Sequence, residues 1–316
     1  MKKRPHIMSV LVVVLMVAAA GYASQKEIIF PEVAALAFGA WVMEETPWKG
    51  AKLNIWLSPT LAALSGFLIV RFLPYSPYLM IAGAFVLVVL QLSLLRSSVL
   101  PSISAATLPI LLNCNSWYYP LSVGVLTGII AAGHFLAERF GRGGHGGGPC
   151  GQDCLTGATM AYRLIHYGKL FAVIIIVAAV ALKSHWIFMI APPLIVSFAE
   201  LSKPDCPMRE KPFKVFLLLS LAAFSGVVWL YLIFYVMHWP MWISAGLSVL
   251  SVFFFYYILN LQFPPAAAIA LLPVIIPARS LWVYPWSVLL GSFIFVSISA
   301  IWFVRQRTVQ DDIDSA

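Results

Sequence analysis

Twelve apolar stretches, parted by short polar ones, dictate what this chain of 316 residues can become. Eight are long, at 8–24, 54–72, 78–95, 118–136, 164–182, 213–234, 241–259 and 283–304. A helix rises ~1.5 Å per residue, so each covers most of a hydrocarbon core ~30 Å thick. No water reaches backbone N–H and C=O groups there, and continuous runs of this length satisfy them only as helices. The fifth reaches full length if Lys169 snorkels to the surface. Four shorter stretches, at 28–43, 99–113, 186–201 and 261–276, fall below spanning length. Each carries proline near its beginning or middle: Pro31, Pro101, Pro192 with Pro193, and Pro264 with Pro265. Proline suits a first helical turn, where its missing N–H has no intrahelical partner to lose.

Composition agrees. The chain is 61% hydrophobic and 10% charged, whereas soluble domains run at about 45–50% and about 25%. A soluble enzyme, a nucleic-acid binder and a disordered chain are excluded. The net charge of +8 comes from 20 scattered Lys and Arg, too few for a polyanion surface and better read as marking the cytoplasmic side. The amino terminus (Lys2, Lys3, Arg4, then an apolar run and Gly21, Ala23, Ser24) has the form of a signal peptide. It reads instead as a retained first helix, because the second half has an equivalent at 164–182.

That equivalence belongs to an internal duplication. Leu61-Ala62-Ala63-Leu64-Ser65-Gly66 recurs as Leu221-Ala222-Ala223-Phe224-Ser225-Gly226, and at the same offset of 160 Pro47 meets Pro207 and Phe38 meets Phe198. Tyr119-Pro120-Leu121-Ser122-Val123 returns as Tyr284-Pro285-Trp286-Ser287-Val288. The organisation is a first membrane repeat over 1–140, a glycine-rich cytoplasmic linker over 141–160, a second repeat over 161–305 and a cytoplasmic tail over 306–316. Each half reads as two triplets of the form long, short, long, and three crossings invert the next triplet. The expected class is therefore an all-α polytopic membrane protein with 3+3 inverted repeats in each half.

Charge tests whether the short segments cross. With twelve crossings and a cytoplasmic start, only Lys26, Arg71, Lys183 and Arg279 lie outside, leaving 16 of 20 basic residues inside. Re-entrant short segments would give ten and ten. The positive-inside rule favours crossing, in a cell membrane with both termini and the linker cytoplasmic.

Candidate chemistry is sparse. Glu32 opens a short segment as an interfacial cap on the helix dipole or as a proton carrier. Glu200 reads as a surface ion pair with Lys203 and Arg209, and His134, His185 and His238 as interfacial groups. Terminal aromatics such as Trp48, Trp56 and Trp117 read as an interfacial belt, and the run 253–257 as lipid-facing bulk. Cys150, Cys154 and His145 in the linker lack the ligand count of a zinc site, and no catalytic residue, metal or cofactor is expected. The short segments have small interiors, including Gly39, Ser102, Ser104 and Thr107. Small residues allow close helix packing. Their amino-terminal N–H groups could also meet a small anion, helped by those hydroxyls. On that reading the solute is bound by Pro101, Ser102, Ser104, Thr107, Gly39, Glu32, Phe263, Pro264 and Pro265, with Asn260 and Gln262 lining an entrance and Phe38 or Phe263 as a gate.

Two stretches resemble the His-Pro-Pro (HPP) family of integral membrane proteins. They are Phe38-Gly39-Ala40, continuing to Pro47-Trp48-Lys49 and Gly66, and Phe263-Pro264-Pro265-Ala266-Ala267-Ala268-Ile269-Ala270-Leu271. The resemblance implies a duplicated family form, and, since some plant and cyanobacterial members are associated with nitrite transport, nitrite as solute. Phe263 stands where the signature histidine would, and Leu100 is its counterpart in the first half. The expected function is a transporter or channel for a small monovalent anion, in a bilayer and with a homo-oligomer open. The alternatives are a membrane scaffold without flux and a loop enzyme using Cys150, Cys154 and His145.

Overall fold

The computed structural model describes residues 3–43, 47–48, 53–73, 75–139, 160–203 and 206–302, and every regular element among them is helical. The first half holds α1 (Lys3–Ala23), α2 (Glu32–Trp41), α3 (Asn54–Phe72), α4 (Pro77–Leu94), α5 (Pro101–Leu112) and α6 (Tyr118–Arg139). The second holds α7 (Met160–Lys183), α8 (Pro192–Leu201), α9 (Pro212–Leu230), α10 (Met241–Leu259), α11 (Pro265–Leu271) and α12 (Val283–Trp302). Eight of them are long and apolar enough to cross a membrane. The chain is an all-α, multi-pass membrane protein. The linker, with Cys150, Cys154 and His145, and the tail lie outside the described residues.

The four short segments hold less helix than their apolar length. Segment 28–43 yields only the ten residues of α2, and segment 261–276 the seven of α11 followed by a 3-10 turn at Leu272–Val274. The first-half segments still run from one end of the bundle to the other, as their neighbours show. Asn54 Nδ2 donates to Leu95 O at 3.1 Å and Ser58 Oγ to Ser97 Oγ at 2.8 Å, so the start of α3 and the end of α4 share one end of the bundle. That near end also holds the start of α1, whose His6 ring lies 6.4 Å from Phe38 late in α2. Phe30 N, just before α2, meets Met16 Sδ at 3.3 Å, and Met16 is seven residues, about 10 Å, below the far end of α1. The chain therefore descends from the far end in a turn and extended backbone, then finishes towards the near end as α2. α5 does the reverse: 95–100 enters from the near end without helix, and α5 climbs beside α3 to the far end. Each crossing is half loop and half helix, and α4, α5 and α6 run opposite to α1, α2 and α3.

Glycine fixes how close the half-helices come. A Cβ on Gly66 would stand 2.2 Å from Ala106 O, and one on Gly226 would stand 2.2 Å from Ala270 O. Tyr119 Oη donates to Ala105 O at 2.7 Å, and Tyr284 Oη to Ile269 O at 2.7 Å. The halves thus repeat the same packing, with α5 matched to α11 at an offset of 164 and α2 to α8 at 160. They meet reciprocally: α1 packs on α10 and α7 on α4, α2 on α11 and α8 on α5. Those last two pairs, with α2 on α5 and α8 on α11, close a four-membered ring of half-helices at the centre.

Candidate functional site

Inside that ring is a cavity with about 40 Å³ of room for water centres. One water needs roughly 10–15 Å³ by this measure, so the space suits about three. It opens among the near-end halves: Ala35 within α2 and Met43 just after it, Val196 and Glu200 of α8, Pro101 of α5, and Gln262, Phe263, Pro264 and Pro265 at the start of α11. Pro47, Trp48, Pro207 and Met208 complete the wall. The wall is almost wholly apolar. Its charged group, Glu200, is paired with Lys203 at 2.8 Å. That pair is buried, where the sequence suggested a surface one: desolvation is tolerated because the partner is one helical turn away.

Of the residues singled out from sequence, Pro101, Gln262, Phe263, Pro264 and Pro265 come together here. Others do not reach the cavity wall. Thr107 Oγ1 donates to Ile103 O at 2.9 Å, so its hydroxyl belongs to its own helix. Asn260 is exposed and closes α10 in the left-handed conformation, a role asparagine fills readily. Phe38 is held in an aromatic cluster, 4.8 Å from Tyr256 and 5.2 Å from Phe253, and is no gate to this space. Gly39 makes room for a ring: its Cβ would sit 2.5 Å from Trp48.

The expected anion donors are also occupied. Ser102 N and Ile103 N donate to Val99 O and Leu100 O at 3.1 and 2.9 Å, and Ala266 N and Ala267 N to Phe263 O and Pro264 O, both at 3.1 Å. Val33 N and Ala34 N turn back to Phe30 O and Pro31 O in the same way. A proline-led turn preceding each half-helix absorbs the N–H groups that a free helix end would offer.

One turn below the cavity floor, polar groups reappear. Glu32 lies three residues before Ala35, and Ser104 three residues after Pro101, each about 4.5 Å along its helix. Ser104 Oγ donates to Glu32 Oε1. Glu32 is 1% exposed, so it is no interfacial cap, and its Oε2 has no hydrogen-bond partner among the described residues. Ser102 Oγ, two residues before Ser104 in α5, is fully buried and likewise without a partner among the described residues. The matching positions of the second half are Pro192, Ala266 and Ala268. The ring has a single polar flank.

Sequence reading missed three residues. Trp48 and His134 looked interfacial, yet Trp48 walls the cavity and His134 is buried with Nδ1 3.0 Å from Ala40 O. Tyr256, taken as lipid-facing bulk, is 5% exposed and donates to Phe263 O at 2.7 Å, anchoring the start of α11. The unusual small residues opposite the first two, Gly39 against Trp48 and the Ala40 carbonyl against His134, were the available signals.

The described residues contain no group of three or more His, Cys, Asp and Glu able to hold a metal ion. Fold and cavity together define a helical multi-pass membrane protein with broken crossings around a central chamber. Neither a protein-family model, nor a curated protein, nor a solved structure matches the chain.

Proposed function

We propose that the chain carries a small solute across the bilayer through the ring of half-helices, with the chamber as its near-end vestibule. The observation that supports this best is the convergence of four broken crossings on one cavity. Non-helical backbone at membrane depth is tolerated where it is buried in protein or lines a cavity, and discontinuous helices at mid-membrane are where many transporters hold their solute. The excess of Lys and Arg near the starts of α1 and α3 and the ends of α4 and α8 supports a cytoplasmic near end.

The wall chemistry narrows the solute. Among the described residues no Lys or Arg lines the chamber, Glu200 is at its rim paired with Lys203, and Glu32 lies beneath its floor. A bare anion meets an apolar wall whose one described acid is already ion-paired, so the fitting class is a small solute that is neutral, or neutralised by a proton on the way through. Nitrite fits this class only when accompanied by a proton. Membership in the HPP family is part of the same proposal, supported by the position of Phe263-Pro264-Pro265 on the chamber wall.

Proteoliposomes of the purified chain, offered nitrite, nitrate, formate, chloride and urea against empty liposomes, test the proposal. Selective flux of nitrite or formate that rises with acidity, or of urea, is the expected result. Chloride flux without proton dependence would replace the neutral-solute class with an anion channel. Absence of all flux from folded protein would overturn transport in favour of a scaffold.

A further inference from the structure

We infer that Glu32 is a proton-binding site that couples the chamber to the proton gradient; the inference rests on the transport reading above. Four observations on separate parts of the structure converge on it. Glu32 is 1% exposed and has no ion-pair partner among the described residues. One of its oxygens is held by Ser104 and the other is unbonded, although buried carboxyl oxygens ordinarily find partners. It lies one helical turn below a chamber large enough for water. Its equivalent in the repeat is Pro192, and that of Ser104 is Ala268, so packing of this fold does not require a polar pair at these positions.

Charge on a carboxyl in such surroundings is compensated by a proton or by a bound cation. The oxygens present suit the proton. Cations such as calcium take about six to eight oxygen ligands, whereas this flank offers one carboxyl and the hydroxyl of Ser104. The carbonyls beside it are committed: Ile103 O accepts from Thr107 and Ala105 O from Tyr119. The step is a simple transfer. A hydronium ion in the chamber gives its proton to Glu32 Oε2, forming the acid O–H bond and leaving water, and release is the reverse.

Among the described residues, the titratable groups around α2 leave Glu32 as the only free acid at this depth, and Tyr256 of α10, beside Phe38, has its hydroxyl spent on Phe263 O. α6 brings Tyr119, whose hydroxyl is spent on Ala105 O, and His134, which faces Ala40 O near the other end of α2. α12 brings Tyr284, spent on Ile269 O, and α1 brings His6, beside Phe38. α5 and α11 bring none, and Glu200 of α8 is paired with Lys203 at the rim.

The test uses the full chain. In detergent, infrared difference spectra across a pH titration are expected to show a buried carboxylic-acid carbonyl band that Glu32→Gln lacks and Ser104→Ala displaces. In proteoliposomes, an inward proton gradient is expected to stimulate uptake of the transported solute several-fold in the wild type and not at all in Glu32→Gln. Glutamine keeps the acceptor for Ser104, and thermal unfolding of the variant checks that the fold survives. An unchanged band in Glu32→Gln, or equal stimulation of variant and wild type, would overturn the proton site while transport stands. A titrating band with no flux of any solute would overturn the transport reading and the coupling with it.

Discussion

The carbonyl oxygen of Ala106 stands 2.2 Å from the point a Cβ on Gly66 would occupy, so α3 and α5 touch backbone to backbone. The obstacle is main chain, which cannot rotate away. Gly66→Ala is expected to lower stability by about 1–3 kcal/mol through overpacking, and Gly226→Ala by a similar amount against Ala270. Gly83→Ala is the control: nothing lies within 4 Å of its Cβ position, and alanine gains up to about 1 kcal/mol of helix propensity there. Thermal unfolding of the three proteins in one detergent checks the order.

Tyr119→Phe and Tyr284→Phe each remove the hydroxyl that pins a half-helix carbonyl, at 2.7 Å in both cases. Each loss is expected to cost about 1–3 kcal/mol, since a buried acceptor loses a donor. The double variant is expected to show the sum, because the two bonds share no partner. A strongly non-additive unfolding result would mean that the halves move as one packed unit.

Ala35→Leu places a larger side chain in a chamber of about 40 Å³ of water room. Uptake is expected to fall tenfold or more (about 1.4 kcal/mol or above), with unfolding temperature little changed. Gly39→Ala acts on the same wall indirectly by pushing the Trp48 ring, which lies 2.5 Å from the new Cβ. Its expected effect on flux is smaller, because a side chain yields more readily than backbone.

Cys114 follows α5 at the far end and is 8% exposed. Burial pushes its thiol above the usual range, and the negative charge of Glu27 adds to the shift. A raised value leaves less thiolate at neutral pH, and the thiolate is the nucleophile. With Cys150, Cys154 and Cys206 changed to Ser, maleimide labelling of Cys114 is expected to be slower than that of free cysteine. Its rate is expected to keep climbing at alkaline pH where free cysteine has levelled off. A labelling rate equal to free cysteine at neutral pH would contradict the burial.

The eight long crossings and the duplication were legible because both depend on quantities local in sequence. An apolar run excludes water whatever it packs against, and a repeated Ser-Gly or Tyr-Pro pair marks the same contact twice. Glu32 was legible as a charge in apolar surroundings, while its fate was not. Whether a carboxyl at the head of a helix meets water or Ser104 depends on α5, 72 residues away. Trp48 and Tyr256 misled for the same reason. An indole near a segment end has the same composition at a lipid interface as against Gly39, and only the approach of α2 separates the two.

The amino-acid order by itself determined that this chain is a helical membrane protein, that it is doubled, and that four shorter, proline-bearing segments lie between its long ones. Those are consequences of bilayer solvation and of a missing N–H, neither of which needs a neighbour. Tertiary structure decided where helix begins within each broken crossing, which N–H groups turn back on their own chain, and which side chains surround the chamber. It also brought Glu32 and Ser104 together on one flank of the ring, where the repeat-related positions of the other flank hold Pro192 and Ala268. Those outcomes follow from contacts between distant segments, whose distances only the packed bundle sets.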